Sequence, residues 1–339
     1  MHCWLANNGD TRSRLRERQD PGSLCFAAGS IKSMKVLFLS GAIYPDYLCD
    51  MLFHGLRETL GADAVDSQRM WFMYQDDVPP QKKCLLYGKG FTLYGILPDI
   101  EVDRTDIEAK IRTRYFDIVV YGSIWRNLDH WDLVRQFYPS SKVAFIDGED
   151  YQTLRSEFLG RGLYFKRECT RQSHGCIPLT FAIPKCKVRS YVPPKTKVLA
   201  SLIPGRIETY VFDDEKAYFD DYAESMFAVT RKKGGWDCLR HYEILANGCI
   251  PYFENLRFCP SHTLVTLPKR FLRGVQRWFP NDVASVPPRA FEICRAFAAG
   301  RLTTEVLAAD FLDAMRVGKR TPPPSRTILD AWTKGRHGC

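Results

Sequence analysis

The sequence lacks any uninterrupted apolar run approaching the ~20 residues that a membrane-spanning helix needs, so no span is expected. Its twelve cysteines include no C-x-x-C pair and lie scattered along the chain. That pattern argues against a disulfide scaffold and for small buried thiols in a reducing compartment. Cys169, His174, Cys176 and Cys186 come close together, but their spacings match no zinc pattern, and no metal site is expected. A G-x-G-x-x-G fingerprint is also missing, because "LSGAIYPD" follows the first apolar run; an NAD-type epimerase is thereby disfavoured. No repeat of solenoid length occurs. The formal charge of +9 over 339 residues is moderate and its cations are dispersed among acids. A nucleic-acid binder would carry a basic stripe interleaved with aromatics, so nucleic acid is not an expected partner.

What is present is a globular composition, 45% hydrophobic and 26% charged, long enough for two domains. Residues 1–33 stand apart: "TRSRLRERQD" is Arg-rich, "SLCFAAGS" is weakly apolar, and the acids among them count against a signal or transit peptide. They read as a flexible extension, with a targeting role left open. From Met34 the rhythm becomes regular. "KVLFLSG" reads as a strand ending at Gly41, and "YPDYLCDMLFHGLRETLG" as an amphipathic helix closed by Gly61. "FDIVVYGS" and "SKVAFIDGED" repeat the strand signal, preceded by the helical "TDIEAKIRTRY" and "WDLVRQFY". Apolar strands alternating with amphipathic helices imply a parallel sheet covered on both faces.

Prolines 178, 184, 193 and 194 break that rhythm and mark a passage between domains. A second set follows, with strands at "TKVLASL", "FAVT" and "CIPYF", a further short strand at "HTLVTLPKRF", and closing helices at "RAFEICRAFAAG" and "TEVLAADFLDAMR". The expected plan is α/β: a 34–180 domain, a 181–316 domain, a 317–339 tail, and a cleft between two Rossmann-like halves.

The densest chemistry lies in "RKKGGWDCLRHYEILANGCIPYF", residues 231–253. Arg231, Lys232 and Lys233 precede Gly234 and Gly235, and a helix is expected to begin near Trp236 or Asp237, with Asp237 as its N-cap. A helix N-terminus attracts anions, and glycines let backbone approach them. Trp236, Arg240 and Glu243 share one helix face. Glu243 lies roughly 10 Å beyond the helix start, the reach from a diphosphate to the diol of a ribose or sugar. His241 lies off that face and reads as structural. A carboxylate at a strand end is the expected acceptor-side base; Asp147 and Glu149 in "FIDGED" are the candidates, with Asp46 and Asp50 after the first strand as others. Lys166 and Arg167 fall near the domain junction.

This segment, and "E-x-L-x-x-G-C-I-P" from Glu243 to Pro251 above all, resembles the donor-binding segment of GT-B glycosyltransferases, in particular the exostosin-like branch. The chain departs from animal exostosins in having no apolar anchor and a short first domain. The resemblance implies metal-independent transfer of a sugar from a nucleotide-sugar donor to a glycan or glycoprotein acceptor, with no cofactor. It implies a donor site at Arg231, Lys232, Lys233, Gly234, Gly235, Trp236, Arg240 and Glu243, in an enzyme in the cytoplasm or peripheral to an internal membrane. The alternative is a non-catalytic nucleotide- or nucleic-acid-binding α/β protein.

Overall fold

The computed structural model describes residues 34–41 and 44–318. The expected extension at 1–33 and all but the first two residues of the expected tail lie outside them. Two parallel sheets organise the chain. The first is built from β1 (Val36–Leu39), α1 (Tyr47–Leu60), β2 (Ala64–Asp66), α2 (Pro80–Lys83), α3 (Ile107–Arg112), β3 (Ile118–Tyr121), α4 (Trp131–Phe137), β4 (Val143–Asp147), β5 (Leu163–Lys166) and β6 (Cys176–Pro178). Its strand order is 2-1-3-4-5-6, parallel throughout. The second contains β7 (Lys197–Leu199), α5 (Glu215–Glu224), β8 (Ser225–Thr230), α6 (Leu239–Ala246) and β9 (Ile250–Phe253), in order 7-8-9. Helices α7 (Lys269–Gly274), α8 (Arg289–Arg301) and α9 (Thr304–Val317) complete it.

The apolar runs become the central strands because every residue of β1, β3 and β4 is buried. α1 begins at Tyr47, three residues inside the expected stretch, with Asp46 as its N-cap accepting from the Cys49 N–H at 3.5 Å, and it ends as expected at Gly61 with φ 59°. Two expectations fail. "HTLVTLPKRF" makes turns and then α7 rather than a strand; Leu264 adopts φ 52°, outside the extended region. α6 begins at Leu239 after an N-cap at Cys238, not near Trp236. Asp237 does not cap it, because its carboxylate instead accepts the Phe181 N–H at 2.8 Å.

One apolar core runs from β1 and α1 through β5 and β6 to α6, β9, α7, α8 and α9, so the two sheets share their packing. Smaller cores cover the outer face of each sheet. Sequence order groups α9 with the second sheet, but it packs along α1, more extensively than any other two elements pack together. The return is marked by Ile183 pairing with Thr303. Gly55, in the middle of α1, is the point of closest approach: a Cβ there would overlap the Thr304 carbonyl and press on Ala308. Alanine normally gains about 1 kcal/mol over glycine inside a helix. Here Gly55→Ala is expected to cost about 1–3 kcal/mol net, because α9 must shift. A urea-denaturation midpoint equal to or above wild type would show that α9 docks loosely.

Candidate functional site

A cavity of about 680 Å³ opens between the sheets, where loops after β1 and β4 face the loop after β8 and the first turn of α6. Ligands of parallel α/β sheets lie at the carboxyl ends of strands, and this cavity has that position in both sheets. The first sheet contributes Asp46 and Tyr47 after β1, Arg126 after β3, and Gly148, Glu149 and Asp150 after β4. The segment 87–94 adds Tyr87, Lys89, Phe91 and Tyr94, while the second sheet adds Tyr210, Phe212, Lys233, Arg240 and Glu243.

Arg240 is the residue that most invites a ligand. It is only 9% exposed, it borders the cavity in the first turn of α6, and its Nε has no hydrogen-bond partner. Burying an unpaired guanidinium donor costs about 1–3 kcal/mol or more, and the part of this guanidinium that stays exposed borders the cavity. Its guanidinium lies 5.6 Å from the Tyr210 ring, and Lys233 Nζ lies 5.9 Å from the same ring. Burial alone would raise the Tyr210 phenol, but Arg240 and Lys233 outweigh it and hold it below its usual range. The field here favours anions.

Glu243 forms the floor. Its Oε1 accepts from Thr92 Oγ1 at 2.5 Å and its Oε2 from Tyr218 OH at 2.6 Å. Burial raises its pKa, and those two hydrogen bonds together with Arg240 oppose the rise. Each oxygen keeps acceptor capacity for a ligand hydroxyl. Thr92 is itself strained, a β-branched residue at φ 73°. It is fixed from the second sheet, because its N–H also donates to Glu215 Oε1 at 2.6 Å. Lys89 ties the same segment to Phe212 O at 2.7 Å and Asp213 at 2.5 Å.

The expected site residues separate into two groups. Lys233, Gly234, Gly235, Arg240, Glu243 and Glu149 line the cavity; Arg231, Lys232, Trp236 and Asp147 do not. Arg231 is directed to Glu254 at 3.9 Å, Lys232 sits over the Trp236 ring, and Trp236 stacks on Phe253 because it precedes the helix. Asp147 is the last residue of β4 and is completely buried. It lies 3.0 Å from Lys166 Nζ as an ion pair, off the angle of an aligned hydrogen bond, and accepts from Tyr164 OH at 2.7 Å. An acceptor cannot reach it, so it is not a base. Lys166 is likewise absent from the cavity, whereas Arg167 lines it. His241, as expected, is structural: it bonds Thr230 at 2.8 Å, and burial pushes its pKa down to about 3.

Residues that the sequence did not signal include Arg126, Asp150 and Tyr210. Arg126 lies 3.4 Å from both Asp46 and Glu149 and bridges them. Among the described residues, no three side chains of His, Cys, Asp or Glu gather to hold a metal, and no helix is long and apolar enough to cross a membrane. No protein-family model matches the chain, and no curated protein matches it in sequence.

Proposed function

We propose that the chain is a glycosyltransferase of GT-B type that binds a nucleotide sugar in this cavity and transfers the sugar to a hydroxyl of a glycan or glycoprotein. The observation that carries the reading is Arg240: a nearly buried guanidinium bordering the cavity at the first turn of α6, with Lys233 on the same Tyr210 ring. An Arg nitrogen, an ammonium and a helix N-terminus make a cradle for a diphosphate. Glu243, one turn along α6, offers acceptors to the diol of the ribose or sugar. In transfer, the cations stabilise the departing diphosphate, the charge that develops as the glycosidic bond breaks. Asp46 and Glu149, bridged by Arg126 on the opposite wall, are the carboxylates on the acceptor side, and one of them takes the acceptor proton.

The test is calorimetric titration with UDP, GDP, ADP and CMP, with and without EDTA, on wild type and Glu243→Gln. The amide retains shape and one acceptor, so it keeps the fold where alanine would orphan Thr92 and Tyr218. Selective binding of one nucleotide, insensitive to EDTA, is expected, weakened about tenfold in Glu243→Gln. Failure of every nucleotide to bind would sink the reading.

A further inference from the structure

The Gly234–Gly235 turn, where sequence places the phosphate, already faces an anion of the protein's own. A Cβ on Gly234 would overlap the Asp150 carboxylate, and one on Gly235 would meet both Asp150 and Glu168. Neither glycine has a positive φ, so the backbone conformation does not demand glycine here; the space does. The carboxylate in that space is held by Arg167 Nη2. Arg167 is 5% exposed and locked in place: its Nε donates to Gly148 O at 2.9 Å, and its Nη1 to Asp237 O of the facing loop at 2.6 Å. Asp150 is the contrasting member, with a side chain 46% exposed at the end of the loop after β4. Glu168, 5% exposed, lies 3.8 Å from Arg167 Nη1 and is fixed by the Asp237 N–H at 2.9 Å, so of the two carboxylates beside this cation Asp150 is the exchangeable one.

We propose that Arg167 and the Gly234–Gly235 turn form a second phosphoryl subsite, separate from Arg240, and that Asp150 occupies it until a phosphoryl group of the ligand displaces it. The subsite rests on the donor reading above, since it shares that cavity. Displacement is open to Asp150 because it is the exposed partner, while Arg167 keeps its bonds to Gly148 O and Asp237 O when the carboxylate leaves and takes the charge of the incoming phosphoryl in its place. A phosphoryl group brings more charge and more acceptors to the same guanidinium, and it fits where a side chain on either glycine would not. Asp150 therefore sets affinity by competition: it screens Arg167 in the empty protein and repels the incoming anion until it swings away.

The test is titration of the full chain with inorganic pyrophosphate and with UDP, comparing wild type with Asp150→Asn. The expected result is about tenfold tighter binding of pyrophosphate by Asp150→Asn, with Arg167→Met in the same background removing the gain. Asp150→Ser serves the same purpose if the amide fails to fold. Equal or weaker pyrophosphate binding by both Asp150 variants, or no binding by any protein, would overturn the subsite. The donor reading fails in a different way: no nucleotide binds selectively to wild type, while pyrophosphate still binds more tightly to Asp150→Asn.

Discussion

Arg240→Met is expected to weaken nucleoside-diphosphate binding about 100-fold or more and, at the same time, to stabilise the unliganded protein. The two effects have one cause. A charge-assisted hydrogen bond from a buried guanidinium contributes about 1.5–3 kcal/mol, and a diphosphate would take at least one from Arg240 besides its direct electrostatic attraction. In the empty protein the same Nε is buried without a partner, which costs stability. Methionine fills similar space with no donor to satisfy, so the unfolding free energy should rise by about 1 kcal/mol. Arg240→Lys keeps the charge but not the planar fork, and should fall between the two. Calorimetry and chemical denaturation on the same samples decide it. Unchanged affinity would move the anion site away from α6. Lost stability with unchanged affinity would mean that Arg240 serves only the packing around Tyr210 and Tyr218.

The largest stability effect is expected at a pair that touches no ligand. Lys166→Met leaves Asp147 buried and without its counter-charge, with only the Tyr164 hydroxyl and the Glu149 N–H, at 3.2 Å, to satisfy it. Breaking a buried ion pair from one side costs about 3–5 kcal/mol. The double variant Lys166→Met/Asp147→Leu removes both charges and should recover most of the loss, since well-packed apolar residues often replace such pairs without cost. Urea denaturation of the single and double variants measures this coupling. A double variant as unstable as the single one would show that the charges do more than neutralise each other, and that β4 and β5 depend on them for register.

These residues also show how far local sequence reaches. β1, β3 and β4 are legible because a strand buried on both faces must be apolar throughout, and α1 because its apolar residues recur at helical spacing up to a glycine stop. β2 is not: three residues ending in Asp66 leave no periodicity to detect, and Asp66 is held by Arg57 and Arg104, partners supplied by the fold. In "FIDGED" the three acids look equivalent in sequence. The strand ends at Asp147, so that one faces Lys166 while the next two acids enter the cavity. At the candidate site, α6 supplied Arg240 and Glu243 through helical spacing, which is local. Thr92, Glu215, Tyr218 and Asp150 meet their partners only across the cavity or along folded elements, and no pattern within ten residues encodes such contacts. The two glycines were legible as a signal for an anion, but not as to whose anion it would be.

The return of α9 onto α1 has a consequence for synthesis. α1 ends at Leu60, and the helix that covers its outer face ends at Val317. The ribosome must therefore add roughly 250 residues, on the order of 10–50 s of elongation, before the first sheet can complete its own core. During that interval the Gly55 side of α1 lacks the helix that covers it in the folded chain, and is open to chaperones and to neighbouring chains. Among the described residues, the last helix to emerge is the one that covers the first.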